Sequence, residues 1–276
     1  MKELHKIIAI CNQKGGVTKT TSTVNLGIGL AMAGKKVLLV DCDTQANLTT
    51  ALGWPEYQLD PNQMTLSNVL AKTIDEADFD HHAPMLRHNE GVDLIPSNIG
   101  LASMELGLMS VMSREYILRY YTEKIARDYD YILLDCPPSL SLLTINALAA
   151  SNSVIIPVTP EYLPAIGMTQ LMNSISNIQK HINPSLRVEG ILLAKVDLRL
   201  ALAKQVSDRL RNDWGSVFRV YDTIIPSSTK AAESSAAGMS IIAYDKHGKA
   251  ALAYAELTKE VMGDAQRTKS KSSPAR

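Results

Sequence analysis

The sequence predicts an α/β fold with a doubly wound, mainly parallel sheet. Short apolar runs alternate with longer segments of helical periodicity along nearly the whole chain, which is the pattern of repeated β-α units. The apolar runs are continuous rather than interrupted by polar residues, as is typical of parallel strands that helices cover on both faces. A chain of 276 residues with 46% hydrophobic residues can bury the core that one such domain needs.

The elements follow one another without an internal repeat or a visible linker. Strands are predicted at 7–10, 36–40, 92–96, 129–134, 154–158, 188–196 and 217–225. Helices are predicted at 20–33, 66–71, 101–112, 115–127, 142–150, 166–181, 202–214 and 249–262. We therefore predict one domain over residues 1–262, followed by a basic, polar tail over 263–276 that is expected to be disordered.

Composition limits the classes of function. Lys plus Arg and Asp plus Glu number 28 each, so DNA binding would need a local basic patch or dimerisation rather than net charge. The 3 cysteines lack metal-site spacing, and we expect reduced packing residues. The stretch 53–90 is weakly patterned, and we expect its histidines in a solvated loop rather than at a metal. With neither a signal peptide nor an apolar run of about 18 residues, we expect a cytoplasmic protein without membrane contact.

The strongest functional pattern is the stretch from Ile7 to Leu26. A β-branched strand ends at a short polar loop with Gly15 and Gly16, and a helix-compatible segment follows. The backbone N–H groups of such a loop and the positive end of the helix form a cavity for phosphate oxygens. Lys19 can reach a β- or γ-phosphate, and the Thr20 hydroxyl is placed to bind Mg²⁺. The predicted nucleotide-binding residues of this loop are Gly15, Gly16, Val17, Thr18, Lys19, Thr20 and Thr21.

The loop departs from the ordinary phosphate-loop pattern G-x-x-x-x-G-K-[ST]. Gln13 stands at its first glycine and Thr18 at its second. The sequence K-G-G-x-x-K-T instead resembles the deviant Walker A loop of the ParA/MinD group of P-loop ATPases. In that group an extra lysine, which matches Lys14, points at the nucleotide of the partner subunit. For the loop taken alone, a glycine-bearing turn with two solvated lysines is the alternative.

Aspartates follow two other predicted strands, and ligands of an open parallel sheet bind beyond the carboxyl ends of its strands. Asp135, after four apolar residues, has the form of a Walker B carboxylate that holds Mg²⁺. Asp41 and Asp43 would repel a polyphosphate without a cation, so their presence also predicts Mg²⁺. We assign Asp43 to orient the attacking water and Asp41 to support the metal shell. The predicted catalytic residues are Lys14, Lys19, Asp41 and Asp43, and the predicted metal ligands are Thr20, Asp41 and Asp135.

The resemblance to ParA (Soj-like) partition ATPases covers nearly the whole chain after residue 5. D-C-D-T-Q-A-N is similar to the family segment D-x-D-P-Q-G-N, and G-I-L-L-A-K-V-D-L-R is similar to G-x-L-L-T-x-x-D-x-R. The resemblance implies that Asp197 and Pro226 contact adenine. It also places two basic residues, Arg199 and Lys230, at positions that bind DNA in the family. At the position of Lys230 the family has an arginine. A solvated surface role is the alternative for both basic residues.

Thr18 is the departure with the largest expected consequence. The family has glycine there, because the tight bend under the phosphates favours a positive φ that a β-branched residue resists. We expect nucleotide binding to survive, since Lys14, Lys19 and Thr20 remain, and turnover to be the step at risk.

The resemblance implies an ATPase with ATP and Mg²⁺ as cofactors. Such proteins form a homodimer when ATP is bound, bind DNA without sequence specificity and associate with the nucleoid. A ParB-like centromere-binding partner stimulates hydrolysis. Three alternatives stay open: a MinD-type switch, which needs an amphipathic C-terminal helix; a metabolic ligase or reductase on the same scaffold; and a nucleotide-binding regulator with negligible turnover.

Overall fold

The computed structural model describes residues 5–160, 165–197, 199 and 201–272. The strands are β1 (Lys6–Ile10), β2 (Val37–Asp41), β3 (Leu86–Arg87), β4 (Asp93–Ile95), β5 (Tyr131–Asp135), β6 (Ser153–Val158) and β7 (Arg187–Leu193). The helices are α1 (Lys19–Met32), α2 (Asn47–Ala51), α3 (Leu66–Ile74), α4 (Gly100–Leu108), α5 (Ile117–Ile125), α6 (Leu142–Ala150), α7 (Ala165–His181), α8 (Ala201–Trp214), α9 (Lys230–Ala236), α10 (Ile241–Tyr244) and α11 (Lys249–Ser272). Strands of the described ranges form a 7-stranded sheet in the order β3-β4-β2-β5-β1-β6-β7. All neighbouring strands are parallel except β3 and β4, which confirms the predicted doubly wound, mainly parallel sheet.

The register of the sheet aligns the carboxyl ends of its three central strands. Ile10 of β1 and Asp41 of β2 both pair with Asp135 of β5. The loop after β1 and the two strand-terminal aspartates therefore lie side by side at one edge of the sheet, which is where ligands of open α/β sheets bind.

Helices cover both faces of the sheet. Leu39 packs in a core with α1, α2, α10 and α11, and its neighbour Leu38 packs in a second core with α3 to α8. Successive residues of a strand point to opposite faces, so each strand must be apolar throughout. The cysteines are free and buried, as expected for packing residues.

The prediction of a strand at 217–225 is wrong. Among the described residues, two isolated bridges, Ile191 with Val220 and Val196 with Pro226, and a hydrogen bond from the Ile225 N–H to the Leu193 carbonyl oxygen join this region to β7 and the residues after it, without a continuous ladder. Between the bridges, the backbone N–H groups of Asp222 and Thr223 donate to the carboxylate of Glu260 at 3.1 and 2.8 Å. Because the Glu260 side chain of α11 accepts both of these N–H groups, no ladder to β7 forms between the bridges.

Other differences concern the ends of elements and the short helices. α11 continues to Ser272 rather than ending at Met262, so most of the tail expected to be disordered is helical. Residues 263–272 contain no proline, and five of the ten are Ala, Gln, Lys or Arg, which favour helix. The predicted strand at 188–196 ends at Leu193, and Lys195 has a left-handed φ of 58°. The helices α2, α9 and α10 have 5, 7 and 4 residues, too few to show a helical period in the sequence.

None of the helices in the described ranges is both long and apolar enough to cross a membrane.

Candidate nucleotide-binding site

A cavity of about 420 Å³ opens at the carboxyl edge of the central strands. The residues predicted from the sequence that line it are Gly15, Gly16, Thr18, Lys19, Thr20, Thr21, Asp43 and Pro226. Residues of the wall that the sequence did not indicate include Asn47, Lys195, Ser227, Ala231, Ala250 and Tyr254. The phosphate loop and the segment after residue 225, far apart in sequence, thus face each other across one space.

Buried polar contacts shape the loop after β1. The side chain of Asn12 is buried, donates from Nδ2 to the carbonyl oxygen of Pro157 at 2.7 Å, and accepts from the N–H of Lys14 at 3.0 Å. Gly16 has a φ of 74°, a conformation that favours glycine. Val17 is buried and does not line the cavity, so its predicted part in nucleotide binding stays a prediction. Asn12 thus fixes the loop before the two glycines.

Thr18 adopts the left-handed conformation, with φ 68° and ψ 22°, at the N-terminus of α1. A bend with positive φ was expected at this position, and the structure confirms it. For a β-branched residue this backbone is costly, by about 1–2 kcal/mol.

The two lysines that flank the glycines differ in environment. Lys19 is 7% exposed, and its ammonium donates to the carbonyl oxygen of Lys14 at 3.2 Å. Lys14 itself is exposed beside the cavity rim. Lys19 is therefore held within its own loop, whereas Lys14 is exposed.

Asp135 lies behind the loop and is fully buried. Its carboxylate accepts hydrogen bonds from the hydroxyls of Thr20 at 2.7 Å and Thr23 at 3.1 Å. Burial raises its pKa to about 7, and the nearby Asp41 carboxylate adds to this rise, whereas the two threonine hydrogen bonds and Lys19 lower it. A buried carboxylate in need of positive charge, next to a hydroxyl on the cavity wall, is a suitable donor set for Mg²⁺.

The carboxylate of Asp41 has different hydrogen-bond donors from that of Asp135. One of its oxygens accepts from the N–H and the hydroxyl of Thr49 at 2.8 and 2.6 Å, and the other accepts from the N–H of Asp43 at 3.1 Å. Burial raises its pKa to about 6, against the hydrogen bonds from Thr49. Asp41 does not line the cavity, so its metal and catalytic roles stay predictions and its visible contacts are structural.

Asp43 reaches the cavity wall. Its oxygens accept from the N–H of Gln45 at 3.0 Å and from the side chain of Asn47 at 3.3 Å. Its own carbonyl oxygen accepts from the Ser97 hydroxyl at 2.7 Å. These contacts hold the carboxylate at the edge of the space that the phosphate loop encloses, where a base or a water-orienting group for an attack on phosphate would be needed.

The other wall of the cavity contains fewer of the predicted residues. Pro226 lines it, but Asp197 does not. Asp197 instead pairs with Arg199 through two hydrogen bonds of 2.9 and 2.7 Å, and this pairing lowers the pKa of Asp197 to about 2. Lys230 donates to Glu233 at 2.7 Å and is exposed. The roles of Asp197 in adenine binding and of Arg199 and Lys230 in DNA binding therefore stay predictions.

A metal at this site would need ligands that the protein alone does not supply. No group of three or more His, Cys, Asp or Glu side chains in the described part of the chain could hold a metal ion. Mg²⁺ commonly binds through one or two protein oxygens together with substrate phosphates and waters. Thr20 lines the cavity and Asp135 lies behind it as the hydrogen-bond partner of Thr20, so their role as Mg²⁺ ligands agrees with this mode and stays a prediction.

Comparisons with known proteins agree with this geometry. A family model described as AAA domain matches residues 5–188. The sporulation initiation inhibitor protein Soj of Bacillus subtilis (strain 168) is 43% identical over 256 residues, which cover 93% of this chain and 98% of that protein. The chain belongs to the ParA/Soj family of P-loop ATPases. The chromosome partitioning protein ParA of Caulobacter vibrioides, another member, is 37% identical and covers 93% of this chain and 94% of its own length.

Solved structures share the ParA/Soj fold. A Mycobacterium smegmatis protein named cobyrinic acid a,c-diamide synthase, with bound ADP and magnesium, superposes with a TM-score of 0.79 and 33% identity, covering 94% of both chains. The septum site-determining protein MinD of Pyrococcus horikoshii, complexed with Mg-ADP, gives a TM-score of 0.72 and 26% identity, covering 93% of this chain and 96% of its own. The deviant-loop P-loop fold expected from the sequence is thereby confirmed.

Proposed function

We propose that this chain is a ParA-type ATPase that binds ATP with Mg²⁺ and forms a face-to-face homodimer only in that state. The dimer binds DNA without sequence specificity on the nucleoid. Together with a ParB-like centromere-binding partner, which stimulates a slow hydrolysis, it segregates a plasmid, a chromosome or a mobile element. The observation that carries the proposal is the pair of lysines around Gly15 and Gly16, one buried in the loop and one exposed beside the rim.

The described residues have distinct tasks in ATP hydrolysis. The loop N–H groups and Lys19 hold the triphosphate. The Thr20 hydroxyl and Asp135 hold the Mg²⁺ that accompanies it. When bound, Mg²⁺ neutralises charge that develops on the phosphates. Asp43 orients the attacking water from the cavity edge. The bound ADP and magnesium of the Mycobacterium smegmatis and Pyrococcus horikoshii proteins support this choice of ligands.

The switch between monomer and dimer follows from where Lys14 lies. Its side chain is at the surface, and it gains a triphosphate contact only when a second protomer brings its own nucleotide to the rim. Because the dimer binds ATP more tightly than the monomer does, ATP shifts the population toward the dimer without a change of fold.

Replacement of Lys14 tests the dimer. We expect Lys14→Ala to bind ATP with nearly unchanged affinity and to stay monomeric, whereas the wild-type protein doubles its mass when ATP and Mg²⁺ are added. Light scattering with a non-hydrolysed ATP analogue measures this, and fluorescent-nucleotide titration measures affinity. Lys36→Ala, which removes an exposed lysine at the other end of α1, is the matched control and should dimerise normally. An ATP-dependent dimer of Lys14→Ala would refute the assignment.

Replacement of Asp43 tests the hydrolytic step. We expect Asp43→Ala to bind ATP, to dimerise and to remain on DNA, with ATP turnover reduced by about 100-fold or more, because a positioned general base contributes about 10²–10⁴-fold. A filter or fluorescence assay of DNA retention after ATP addition follows the trapped state. Turnover at the wild-type rate would remove Asp43 from the proposed role.

The conformation of Thr18 supports a second candidate function, that of a nucleotide-binding regulator with negligible ATP turnover. The strained, left-handed backbone of Thr18 is part of the loop that would bind the phosphates. If this strain relaxed during the reaction, the loop would change shape and hydrolysis would be impaired. A steady-state ATPase assay with DNA and partner present separates the two candidates.

The similar structures include a MinD protein and a protein named as a synthase, but a shared fold does not decide between these functions, so each alternative has its own test. Co-sedimentation with liposomes and ATP tests a MinD-type membrane switch. A ligase would need a second substrate pocket near the phosphates. The second cavity, of about 460 Å³, is lined by Gly29, Met32 and Met262 among others, and Gly29 lies about 15 Å along α1 from Lys19.

A further inference from the structure

The strained backbone of Thr18 needs a compensating contact. A non-glycine residue at φ 68° persists only where its surroundings hold it there. Its own side chain supplies the first contact. The Thr18 hydroxyl lies 3.4 Å from the hydroxyl of Ser22, one turn further along α1.

Ser22 continues this contact into the last helix of the domain. Its hydroxyl lies 3.2 Å from the phenol oxygen of Tyr254 in α11, and both side chains are 1% exposed. Burial raises the pKa of Tyr254 to about 12, and hydrogen bonds from the side chains of Ser22 and Thr18 oppose this rise. The phenol therefore keeps its proton at neutral pH and can donate into the group of three hydroxyls.

The helix that carries the tyrosine is itself fixed against α1. A Cβ atom at Gly29 of α1 would lie 2.3 Å from the hydroxyl of Thr258, so the two helices are in close contact one turn beyond Tyr254. Tyr254 and Thr18 also line the same cavity. The phenol thus occupies a rigid position from which it can hold the first turn of α1.

We propose that Tyr254 is a positioning residue of the phosphate loop, whose hydroxyl acts through Ser22 to hold Thr18 in the left-handed conformation that glycine would adopt unaided. The proposal rests on the nucleotide site proposed above. It explains how a threonine can replace glycine there: the strain of the backbone is offset by hydrogen bonds that a glycine could not make. Tyr254 need not touch the nucleotide for this role.

A double-mutant cycle tests the proposal with Tyr254→Phe, Thr18→Gly and the combination of both. In the Thr18 background, Tyr254→Phe should weaken Mg-ATP binding about fivefold, the size of one net hydrogen bond, and lower the melting temperature by about 2–4 °C. In the Thr18→Gly background, the same change should alter affinity by less than about twofold, because glycine needs no hydroxyl to hold it. Ser22→Ala should reproduce both results.

Tyr121→Phe is the matched control. Tyr121 is fully buried in the other core, and its hydroxyl donates to the carbonyl oxygen of His81 at 2.7 Å, far from the loop. It should lower the melting temperature equally in both backgrounds and leave ATP affinity unchanged.

The outcomes separate this proposal from the proposed function. Equal losses from Tyr254→Phe in the wild-type and Thr18→Gly backgrounds would overturn the positioning role and leave a structural hydrogen bond. If the wild-type protein bound no ATP, the proposed function would fail. The melting temperatures of the four proteins in the cycle, measured without nucleotide, would still decide whether Tyr254 and Thr18 are coupled.

Discussion

The phosphate side and the base side of the cavity are held in place by different kinds of contact. On the phosphate side, residues 12–23 with Asp43 and Asp135, polar groups are buried and contact one another at the ends of paired strands. The base side comprises residues 195–197, 199 and 225–236. Its charged groups are exposed except for the partly buried Asp197, and the Arg199 side chain is 89% accessible. The carboxyl groups show the same contrast. Burial raises the pKa of Asp135 to about 7, and an exposed ion pair lowers that of Asp197 to about 2.

Long-range contacts, rather than a strand register, hold the base side. Glu260 of α11 binds the backbone at Asp222 and Thr223, before the cavity wall begins. Gly238, just after α9, packs directly on Gly53, just after α2. The phosphate side is therefore a local consequence of the central sheet, and the base side depends on packing between distant segments.

The largest expected effect concerns the buried carboxylate of the phosphate side. The folded-state pKa of Asp135 is about 7, above its ordinary value of 3.8, so the folded protein binds more protons than the unfolded chain between these values. Asp135 should therefore lower the free energy of unfolding by at most about 4 kcal/mol as pH rises from about 4 to 7, at roughly 1.4 kcal/mol per pKa unit. Asp41, whose pKa is also raised, adds a smaller fall in the same pH range. Asp135→Asn removes the larger contribution and should make the dependence clearly shallower.

Urea denaturation at several pH values, with EDTA and without nucleotide, measures this dependence. Asp197→Asn is the control, because its carboxyl is exposed and should contribute little. Parallel stability curves for the wild-type protein and Asp135→Asn would show that the carboxyl of Asp135 is not destabilised by burial.

A smaller effect is expected where the two sides meet. Gly238→Ala places a Cβ atom 2.7 Å from the Cα of Gly53, at a φ of 66°. Gly34→Ala has a similar φ of 80° but no atom within 4 Å of the new Cβ, so it measures the backbone cost alone. We expect Gly34→Ala to cost about 1 kcal/mol of unfolding free energy, and Gly238→Ala to cost about 1–3 kcal/mol more.

The two glycine variants should also differ in ATP affinity. Gly238→Ala displaces α9, whose residues Ala231 and Ala232 line the cavity, whereas Gly34→Ala is remote from it. Equal costs in denaturation and equal ATP affinities for the two variants would show that the Gly53 contact does not position the base side.

The same contrast explains what the sequence could predict. The strand ends that carry Asp41, Asp43 and Asp135 are marked by continuous apolar runs, and the parallel register then brings them together without further information. The positive φ at Thr18 was expected from the glycine that the ParA family has at this position, and it was confirmed.

The base side could not be predicted in this way. The segment 217–225 has the composition of a strand, but Glu260, some 40 residues away, accepts two of its backbone donors. His88 was expected in a solvated loop, yet it is 6% exposed, with Nε2 3.1 Å from the carbonyl oxygen of Gly238. Such contacts join segments that are distant in sequence and have no local periodicity, so sequence patterns do not show them.

The smallest effect is expected from the exposed charges of the base side. Arg199→Ala should leave the free energy of unfolding nearly unchanged, because its pair with Asp197 is at the surface. If Arg199 contacts DNA phosphates, the variant should weaken DNA binding by the ATP-bound protein a few-fold at every sequence and reduce the slope of log affinity against log salt by about one. Arg209→Ala is the matched control, since Arg209 is also an exposed arginine paired with an aspartate, Asp213. A salt slope lowered equally by both variants would indicate general surface charge rather than a DNA contact at Arg199, and the base side would then have no demonstrated part in DNA binding.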